Sequence, residues 1–257
     1  MVYTTDMFLV MKLAALLLLP ASLLLAQPFR FGAPVCSGPE RELADHAFFL
    51  LCHDSIRKVP SWTAHELTPH RLPAATSHSR YFRHDTALAG PIARNADYRG
   101  SGYSRGHMVP AEDLAWSGEA IRSTYVLSNA VPQVQGVHAG LWRELETAVR
   151  EIAARSDAVY IVTGPIFAAS RIEFIGAGQV AVPTHIFKVV LALDGVGKTM
   201  YAAIVPNTAA CRGRALGEFT VTMDEVERQT GLDFFGALDD DEERRLKSAR
   251  HDFRGPR

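Results

Sequence analysis

The spacing of apolar and polar residues predicts a set of strands in the second half of the chain. Residues 159–163 form a continuous apolar run that stops at Gly164-Pro165, as expected for a buried strand. Residues 184–193 and 201–205 have the same character. The short connection at 194–198 contains glycine, so these two strands are predicted to form a hairpin.

The same patterning predicts two helices and a frayed end. In residues 141–154 the apolar side chains recur at helical spacing, on one side of the predicted helix: Leu141, Leu145, Ala148, Val149 and Ile152. Residues 223–231 form a shorter predicted helix that ends at Gly231. The chain is highly charged from Asp239 onward, and this tail is expected to fray.

The first half of the chain is less regular. An apolar patch at 47–51 is followed by alternation over 62–68, which is typical of a strand with one exposed face. Residues 69–101 are rich in Pro, His, Arg, Ala and Asp and are expected to be loops. Because strands and helices do not alternate regularly, we expect an α+β fold with a central, mainly antiparallel sheet flanked by helices. A single domain over residues 27–257 is expected.

Composition limits how the protein could bind nucleic acid. The chain has 257 residues, 47% of them hydrophobic and 21% charged, which supports a large core and argues against disorder. The net charge is −1. A protein that holds a polyanion by bulk charge should be basic, so here a few Arg and Lys would have to be concentrated at a site.

The N-terminus resembles an export signal. Residues 13–26 are almost entirely apolar, and this run is shorter than the roughly 20 residues that a membrane span needs. We expect residues 1–26 to be a signal peptide cleaved near Ala26–Gln27, giving a secreted or periplasmic protein without stable membrane association. An uncleaved anchor is the alternative. Asp6 suits a signal poorly, which suggests that translation begins at Met11.

Export would permit a disulfide among the three cysteines, Cys36, Cys52 and Cys211. One internal bond can form, in three pairings, and closeness in sequence favours Cys36 with Cys52. No pair has the spacing of a zinc site.

Candidate chemistry is concentrated between Tyr103 and Glu146. Hydrolysis of a phosphodiester requires a base for water, and His107 is suitable because imidazole titrates near neutrality. Taken alone, His107 would be interpreted as an ordinary loop histidine. A helical stripe adds weight to the catalytic interpretation, because it carries four functional side chains at a spacing of four: His138, Trp142, Glu146 and Arg150. A solvated helix face is the alternative.

Several segments resemble one family. Residues 102–111, which include Ser104-Arg105-Gly106-His107, resemble the Asp-Arg-Gly-His signature of the DNA/RNA non-specific endonucleases. Further similarities cover roughly residues 45–245 in order: 125–133, 142–146, 162–167, 182–188, 206–207, 222–227 and 230–232. The resemblance implies the ββα-metal (His-Me finger) fold.

The resemblance also implies roles for individual residues. His107 would be the general base, Arg105 a phosphate-side arginine, and Glu146 the residue that orients metal-bound water. Arg150 would stabilise the transition state or the leaving group. Three further residues complete the set of site predictions: Arg80 and Asn129 for substrate binding or its support, and His138 for the metal.

Two residues depart from the family pattern. Ser104 replaces the usual Asp, which removes a supporting carboxylate, and His138 replaces the usual metal-binding Asn. The expected cofactor is one divalent metal, Mg²⁺ or Mn²⁺, and an imidazole ligand would shift the preference towards softer transition metals.

The expected function is metal-dependent cleavage of DNA and RNA. A catalytically altered or inactive protein that binds nucleic acid or a partner is the alternative, and a phosphodiesterase acting on another ligand is a third interpretation. The family resemblance allows a homodimer, but the sequence locates no interface.

Overall fold

The computed structural model describes residues 29–72, 81–168, 171–195 and 197–254. The strands are β1 Arg41–Asp45, β2 Leu50–Asp54, β3 Val59–Leu67, β4 Tyr103–His107, β5 Ala130–Val134, β6 Ala158–Ile166, β7 Glu173–Ile175, β8 Val180–Val182, β9 His185–Asp194, β10 Gly197–Pro206 and β11 Thr220–Val221. The helices are α1 Asn95–Tyr98, α2 Gly118–Thr124, α3 Gln135–Val137, α4 Arg143–Ala154, α5 Met223–Thr230 and α6 Asp240–Ser248. The predicted signal peptide lies outside the described residues.

A seven-stranded antiparallel sheet forms the centre of the fold, in the order β1-β2-β3-β6-β9-β10-β11. Both of its faces are covered. One face packs against α4 and the β4–β5 ribbon through residues such as Val159 and Val190. The other packs against α5 and α6 through residues such as Val162 and Leu191. Burial on both faces explains why β6 and β9 have continuous apolar sequences rather than alternating ones.

The main strands and the hairpin follow the sequence pattern. The runs predicted at 159–163, 184–193 and 201–205 lie within β6, β9 and β10, respectively, apart from Thr184, which directly precedes β9. β9 and β10 pair as the predicted hairpin, with Asp194 opposite Gly197. In α5 the left-handed conformation of Gly231 (φ 71°) ends the helix as expected.

Two expectations about exposure were wrong. β3 is not a strand with one exposed face, because its polar residues Thr63 and His65 are buried as deeply as Trp62. The charged tail does not fray from Asp239. It forms α6, which begins with an Asp239 side-chain cap and packs Leu246 into the core. Thr63 and His65 are compatible with burial because their side chains bond to partners that are distant in sequence, the Thr163 carbonyl and Asp113.

The cysteines pair as the sequence favoured. Cys36 and Cys52 form a disulfide that ties the segment before β1 to β2, and Cys211 remains a buried thiol. Within the described ranges, no helix is both long enough and apolar enough to cross a membrane.

Candidate active site

An antiparallel ribbon of β4 and β5 carries the signature residues. His107 lies opposite Ala130, and Arg105 lies opposite Pro132. Because residues two apart in a strand share a face, Arg105 and His107 point to the same side. Both line an open cleft of about 710 Å³, together with His138 and Ser104. The ribbon and the helical segment after β5 therefore bring the two histidines to one site.

Aromatic rings hold the His107 imidazole. Its centroid lies 4.7 Å from the Phe82 ring and 4.8 Å from the Tyr125 ring, and both of these side chains are almost fully buried. The Arg105 guanidinium lies over the Phe82 ring, 5.1 Å from its centroid, and donates a hydrogen bond to the Asn95 side chain. These contacts fix both groups at the cleft while leaving other Arg105 donors available.

Gly106 is required by the packing of Gln133. A Cβ at position 106 would lie 2.9 Å from both Cβ and Cδ of Gln133, which is closer than side-chain carbons approach in proteins. Gln133 is fully buried, and its Oε1 accepts a hydrogen bond from His138 Nδ1 at 3.0 Å. The side chain of Gln133 therefore links the His107 strand to His138.

His138 occupies a distorted turn. Residues His138–Trp142 form a π-helical turn between α3 and α4, and Gly140 has non-helical angles (φ −109°, ψ −110°). Single π turns of this kind often occur at functional sites. Burial lowers the pKa of His138 and outweighs the opposing effect of Glu112, so the neutral imidazole is favoured.

The donors at this site suit one hydrated divalent ion. With Nδ1–H bonded to Gln133, His138 keeps the Nε2 lone pair for a ligand, which is the arrangement that orients metal-binding histidines. Among the described residues, no group of three or more His, Cys, Asp or Glu side chains could hold a metal. A site with a single protein ligand, completed by water and phosphate oxygens, is consistent with these residues.

Glu146 and Arg150 do not line the cleft, but belong to a charged cluster on α4, the helix that directly follows the turn carrying His138. Asp113 is buried between Arg150 and His65, at 3.0 Å from each. Burial raises the pKa of Glu146, against the attraction of Lys188. Lys188 is itself buried on β9, where it donates to Thr163 Oγ1 at 2.8 Å and lies 5.1 Å from the Trp142 ring centroid.

Asn129 does not contact the cleft, which corrects its assignment as a substrate-binding residue. Its side chain is fully buried, and its amide donates to Val109 O at 3.1 Å and to Thr124 O at 3.0 Å. Its Oδ1 accepts from Val109 N at 2.9 Å. With both ends of the amide bonded to backbone, Asn129 holds the segment after His107 in place.

Two further residues from the sequence analysis are Arg80 and Ser104, and the structure describes only Ser104. Arg80 lies outside the described residues. Ser104 lines the cleft and donates to the Gln135 side chain, so the position of the usual Asp carries a hydroxyl that is bonded to a neighbouring turn.

Sequence reasoning missed Asp113, Lys188 and Tyr81 as candidate site residues. Tyr81 exposes 71% of its surface beside the cleft. Asp113 follows the signature by only six residues, but nothing in the sequence indicates that it pairs with Arg150. Lys188 lies inside an apolar strand, and a lysine in such a run is rarely buried without a partner, which was the one available sign of a special role.

Comparison with known proteins gives one consistent family. Residues 27–241 match the sequence model for DNA/RNA non-specific endonucleases. Mitochondrial nuclease EXOG of Mus musculus is 34% identical over 225 residues, covering 82% of this chain and 60% of that protein. Mitochondrial endonuclease G of Bos taurus is 32% identical over 244 residues, covering 86% and 82%, respectively. The chain spans about six-tenths of the EXOG relatives that it matches.

A solved structure gives the same result for the fold. EndoG, crystallised in a complex with EndoGI, superposes with a TM-score of 0.77 at 30% identity, covering 83% of this chain and 92% of that one. The predicted α+β fold of the ββα-metal class is thereby confirmed. With the family match over residues 27–241, this chain belongs to the DNA/RNA non-specific endonuclease family.

Proposed function

We propose that the protein is a divalent-metal-dependent endonuclease that hydrolyses phosphodiester bonds of DNA and RNA without sequence preference. The observation that carries this proposal is the convergence of His107, Arg105 and His138 on one open cleft. A base, a cation for phosphate and a metal-competent imidazole are the groups that phosphodiester hydrolysis needs.

His107 acts as the general base in this proposal. The imidazole takes a proton from the attacking water, and the ring contacts with Phe82 and Tyr125 keep it oriented towards the cleft. Arg105 binds a non-bridging phosphate oxygen with the guanidinium donors that Asn95 does not use. Arg150 would stabilise the negative charge that develops in the transition state, and Glu146 would orient water at a bound ion. Glu112 acts electrostatically on both His138 and Glu146, which supports the closeness of these residues to the cleft.

His138 would hold the metal through Nε2, with Gln133 fixing the ring. The bound ion supplies charge neutralisation at the phosphate and the leaving oxygen. Because imidazole nitrogen suits Mn²⁺, Co²⁺, Ni²⁺ or Zn²⁺ better than Mg²⁺, we propose a metal preference shifted towards these ions.

Sequence-independent cleavage agrees with the composition of the cleft. Contacts to phosphate carry no base information, and a few arginines provide them despite a net charge of −1. Arg99 and Arg105 line the cleft beside the exposed ring of Tyr81, on which an unpaired base could stack. Cleavage should therefore weaken as salt concentration rises.

The second candidate is a related protein that binds nucleic acid or a partner without cutting it. The specific observations in its favour are Ser104 and His138 at positions where the family has Asp and Asn. The placement of His107 and Arg105 at the cleft favours the enzyme, because a binding protein needs no general base.

We further propose that the protein is exported. The apolar run at 13–26 and the Cys36–Cys52 disulfide support this, because disulfides persist in oxidising compartments. The names of several relatives place those proteins in mitochondria. Expression of the full chain, followed by fractionation and N-terminal sequencing, tests export. A mature protein that begins near Gln27 outside the cytoplasm is expected, and an uncleaved cytoplasmic chain would contradict it.

The enzymatic proposal is tested with purified protein, supercoiled plasmid DNA and structured RNA in the presence of Mg²⁺, Mn²⁺ or a chelator. Both nucleic acids should be cut with metal and remain intact with chelator. If both substrates remain intact with every divalent ion tried, the non-cutting alternative is favoured.

A further inference from the structure

One buried carboxylate connects the central sheet to the helix that carries Arg150. Asp113 lies in the short turn Ala111–Leu114, six residues after His107, and exposes only 2% of its surface. Its Oδ2 is 3.0 Å from Nε2 of His65 on β3, and its Oδ1 accepts from Nη1 of Arg150 on α4 at 3.0 Å. Each carboxylate oxygen is therefore bonded to a different element.

The protonation states follow from the surroundings. Burial lowers the pKa of His65, which favours the neutral ring. Burial opposes ionisation of Asp113, but the hydrogen bond from the neutral His65 ring and the positive charges of Arg150 and Lys188 outweigh it and lower the pKa of Asp113. An ionised carboxylate only accepts hydrogen bonds, so His65 must donate through Nε2–H. His65 thus occupies one oxygen of Asp113 and directs the other towards Arg150.

Arg150 is held at two points and remains partly open to solvent. Nη1 donates to Asp113, and Nη2 donates to Thr147 Oγ1 at 3.2 Å, one turn earlier on α4. The Arg150 side chain is 22% exposed, whereas that of Asp113 is 2% exposed. A guanidinium has five N–H donors, so two holding contacts leave donors for a phosphate oxygen.

We propose that Asp113, assisted by Thr147, is a positioning residue that fixes the Arg150 guanidinium for the transition state. The inference rests on the proposed nuclease function. A long arginine side chain would otherwise sample many rotamers, and ordering it during the reaction would cost free energy. The contacts with Asp113 and Thr147 order the Arg150 guanidinium before the reaction, so their effect should appear in kcat rather than in KM.

A double-mutant cycle on a short fluorogenic DNA oligonucleotide tests this role. Asp113→Asn keeps the side-chain shape and removes the charge. It should lower kcat about 10- to 100-fold with KM changed less than about twofold. In an Arg150→Ala background the same substitution should change kcat by less than about twofold, because the group that it positions is gone.

Thr147→Val provides a second cycle that does not depend on a buried substitution. Thr147 is exposed, so its loss should leave the fold intact, and kcat should fall about two- to tenfold only when Arg150 is present. If Asp113→Asn does not fold, the Thr147 cycle still tests whether the contacts that hold the Arg150 guanidinium contribute to kcat.

Asp54→Asn is the matched control. Asp54 is also a buried carboxylate between basic side chains, with Arg57 at 2.8 Å and Arg41 at 3.3 Å, but it does not line the cleft. It should lower the melting temperature and leave kcat within about twofold. Additive losses of kcat in the Asp113 and Thr147 cycles, or an equal kcat loss in Asp54→Asn, would overturn the inference. An inactive wild-type enzyme would instead refute the proposed function.

Discussion

At the scale of single residues, Gln133 is the connection between the two histidines of the cleft. Its side chain fills the space above Gly106 and accepts the hydrogen bond from His138 Nδ1. The glycine of the Arg-Gly-His signature is thus explained by close packing rather than by a left-handed backbone. A substitution at Gly106 should displace Gln133 and, with it, both histidines.

Gly106→Ala should therefore reduce activity at least tenfold and lower the stability by about 1–3 kcal/mol, as overpacking does. Nuclease kinetics and thermal unfolding check this. Gly197→Ala is the control, because a Cβ there has no neighbour within 4 Å. Wild-type kinetics in Gly106→Ala would show that Gln133 can move without consequence for the site.

His138 should determine which metal supports cleavage. His138→Asn restores an oxygen ligand, so the ratio of Mg²⁺-supported to Mn²⁺-supported activity should rise at least several-fold. Metal titrations of both proteins provide the measurement, and calorimetric metal binding gives a readout independent of turnover. Identical metal profiles of the two proteins would mean that His138 does not bind the ion.

The sequence identified His107, Arg105 and His138 as candidates, and the structure brings all three to one cleft, but the residues that support them were not predicted. Resemblance to a family assigns roles to residues within motifs. Asp113 and Lys188 acquire their roles through contacts that span 25 to 48 residues, for example Lys188 with Thr163 and His65 with Asp113. Gln133 packs against Gly106, which is 27 residues away in sequence. For Asn129 the motif predicted substrate binding or its support, and the structure shows a buried amide that bonds to the backbone.

At the scale of elements, α6 shows how a charged segment can dock firmly. Lys247 is nearly buried and contacts three carboxylates: Glu227 at 2.6 Å, Asp233 at 2.7 Å and Glu243 at 2.6 Å. Burial would lower the pKa of Lys247, but its hydrogen bonds to these acids outweigh burial and raise the pKa. Lys247 therefore stays charged and holds α6 against α5 and the loop that follows it.

Lys247→Met should destabilise the protein by about 1–3 kcal/mol, because it leaves three acidic groups without their cation. Lys198→Met is a matched control, since its single pair with Glu242 is more than a quarter exposed on both sides and should contribute less than about 1 kcal/mol. Chemical denaturation of both variants provides the comparison. Equal destabilisation by the two substitutions would contradict the role of Lys247.

Elements were predictable where burial is uniform. β6 and β9 are inner strands that are buried almost throughout, and β10 is buried over residues 202–205, which is where their apolar runs were predicted. The helix predicted at 141–154 corresponds to α4, but its first two residues belong to the π turn at His138–Trp142, which the apolar periodicity did not indicate. The buried side of β3 was missed because its polar residues find partners on distant elements.

At the scale of the whole molecule, Asp85 connects separate segments. It contacts His46 in the β1–β2 turn at 3.1 Å, accepts from Ser128 before β5, and accepts from Ala87 N at 3.0 Å. Burial opposes its ionisation, but these contacts outweigh burial and lower the pKa of Asp85 from 3.8 to about 2. Its ionised form therefore stabilises the fold at neutral pH.

The sign of the pH dependence follows from this lowered pKa. The stabilisation by Asp85 is complete above about pH 4 and is lost as pH falls through about 2. A shift of nearly two units corresponds to about 2 kcal/mol. Between pH 5 and pH 2, the free energy of unfolding should fall by about 2 kcal/mol more in the wild type than in Asp85→Asn. Equal changes in the free energy of unfolding for the wild type and Asp85→Asn, measured by urea denaturation at pH 5 and pH 2, would contradict this.

If this cleft cuts nucleic acid with His107 as the base, removal of the His107 imidazole should abolish cleavage. A non-reducing gel cast with DNA or RNA, renatured in Mn²⁺ or Mg²⁺, tests it directly on wild type and His107→Ala. The wild type should clear both nucleic acids, and His107→Ala should clear neither, although circular dichroism shows the same fold. Clearing by His107→Ala equal to that of the wild type, or no clearing by the wild type with either ion, would contradict the account.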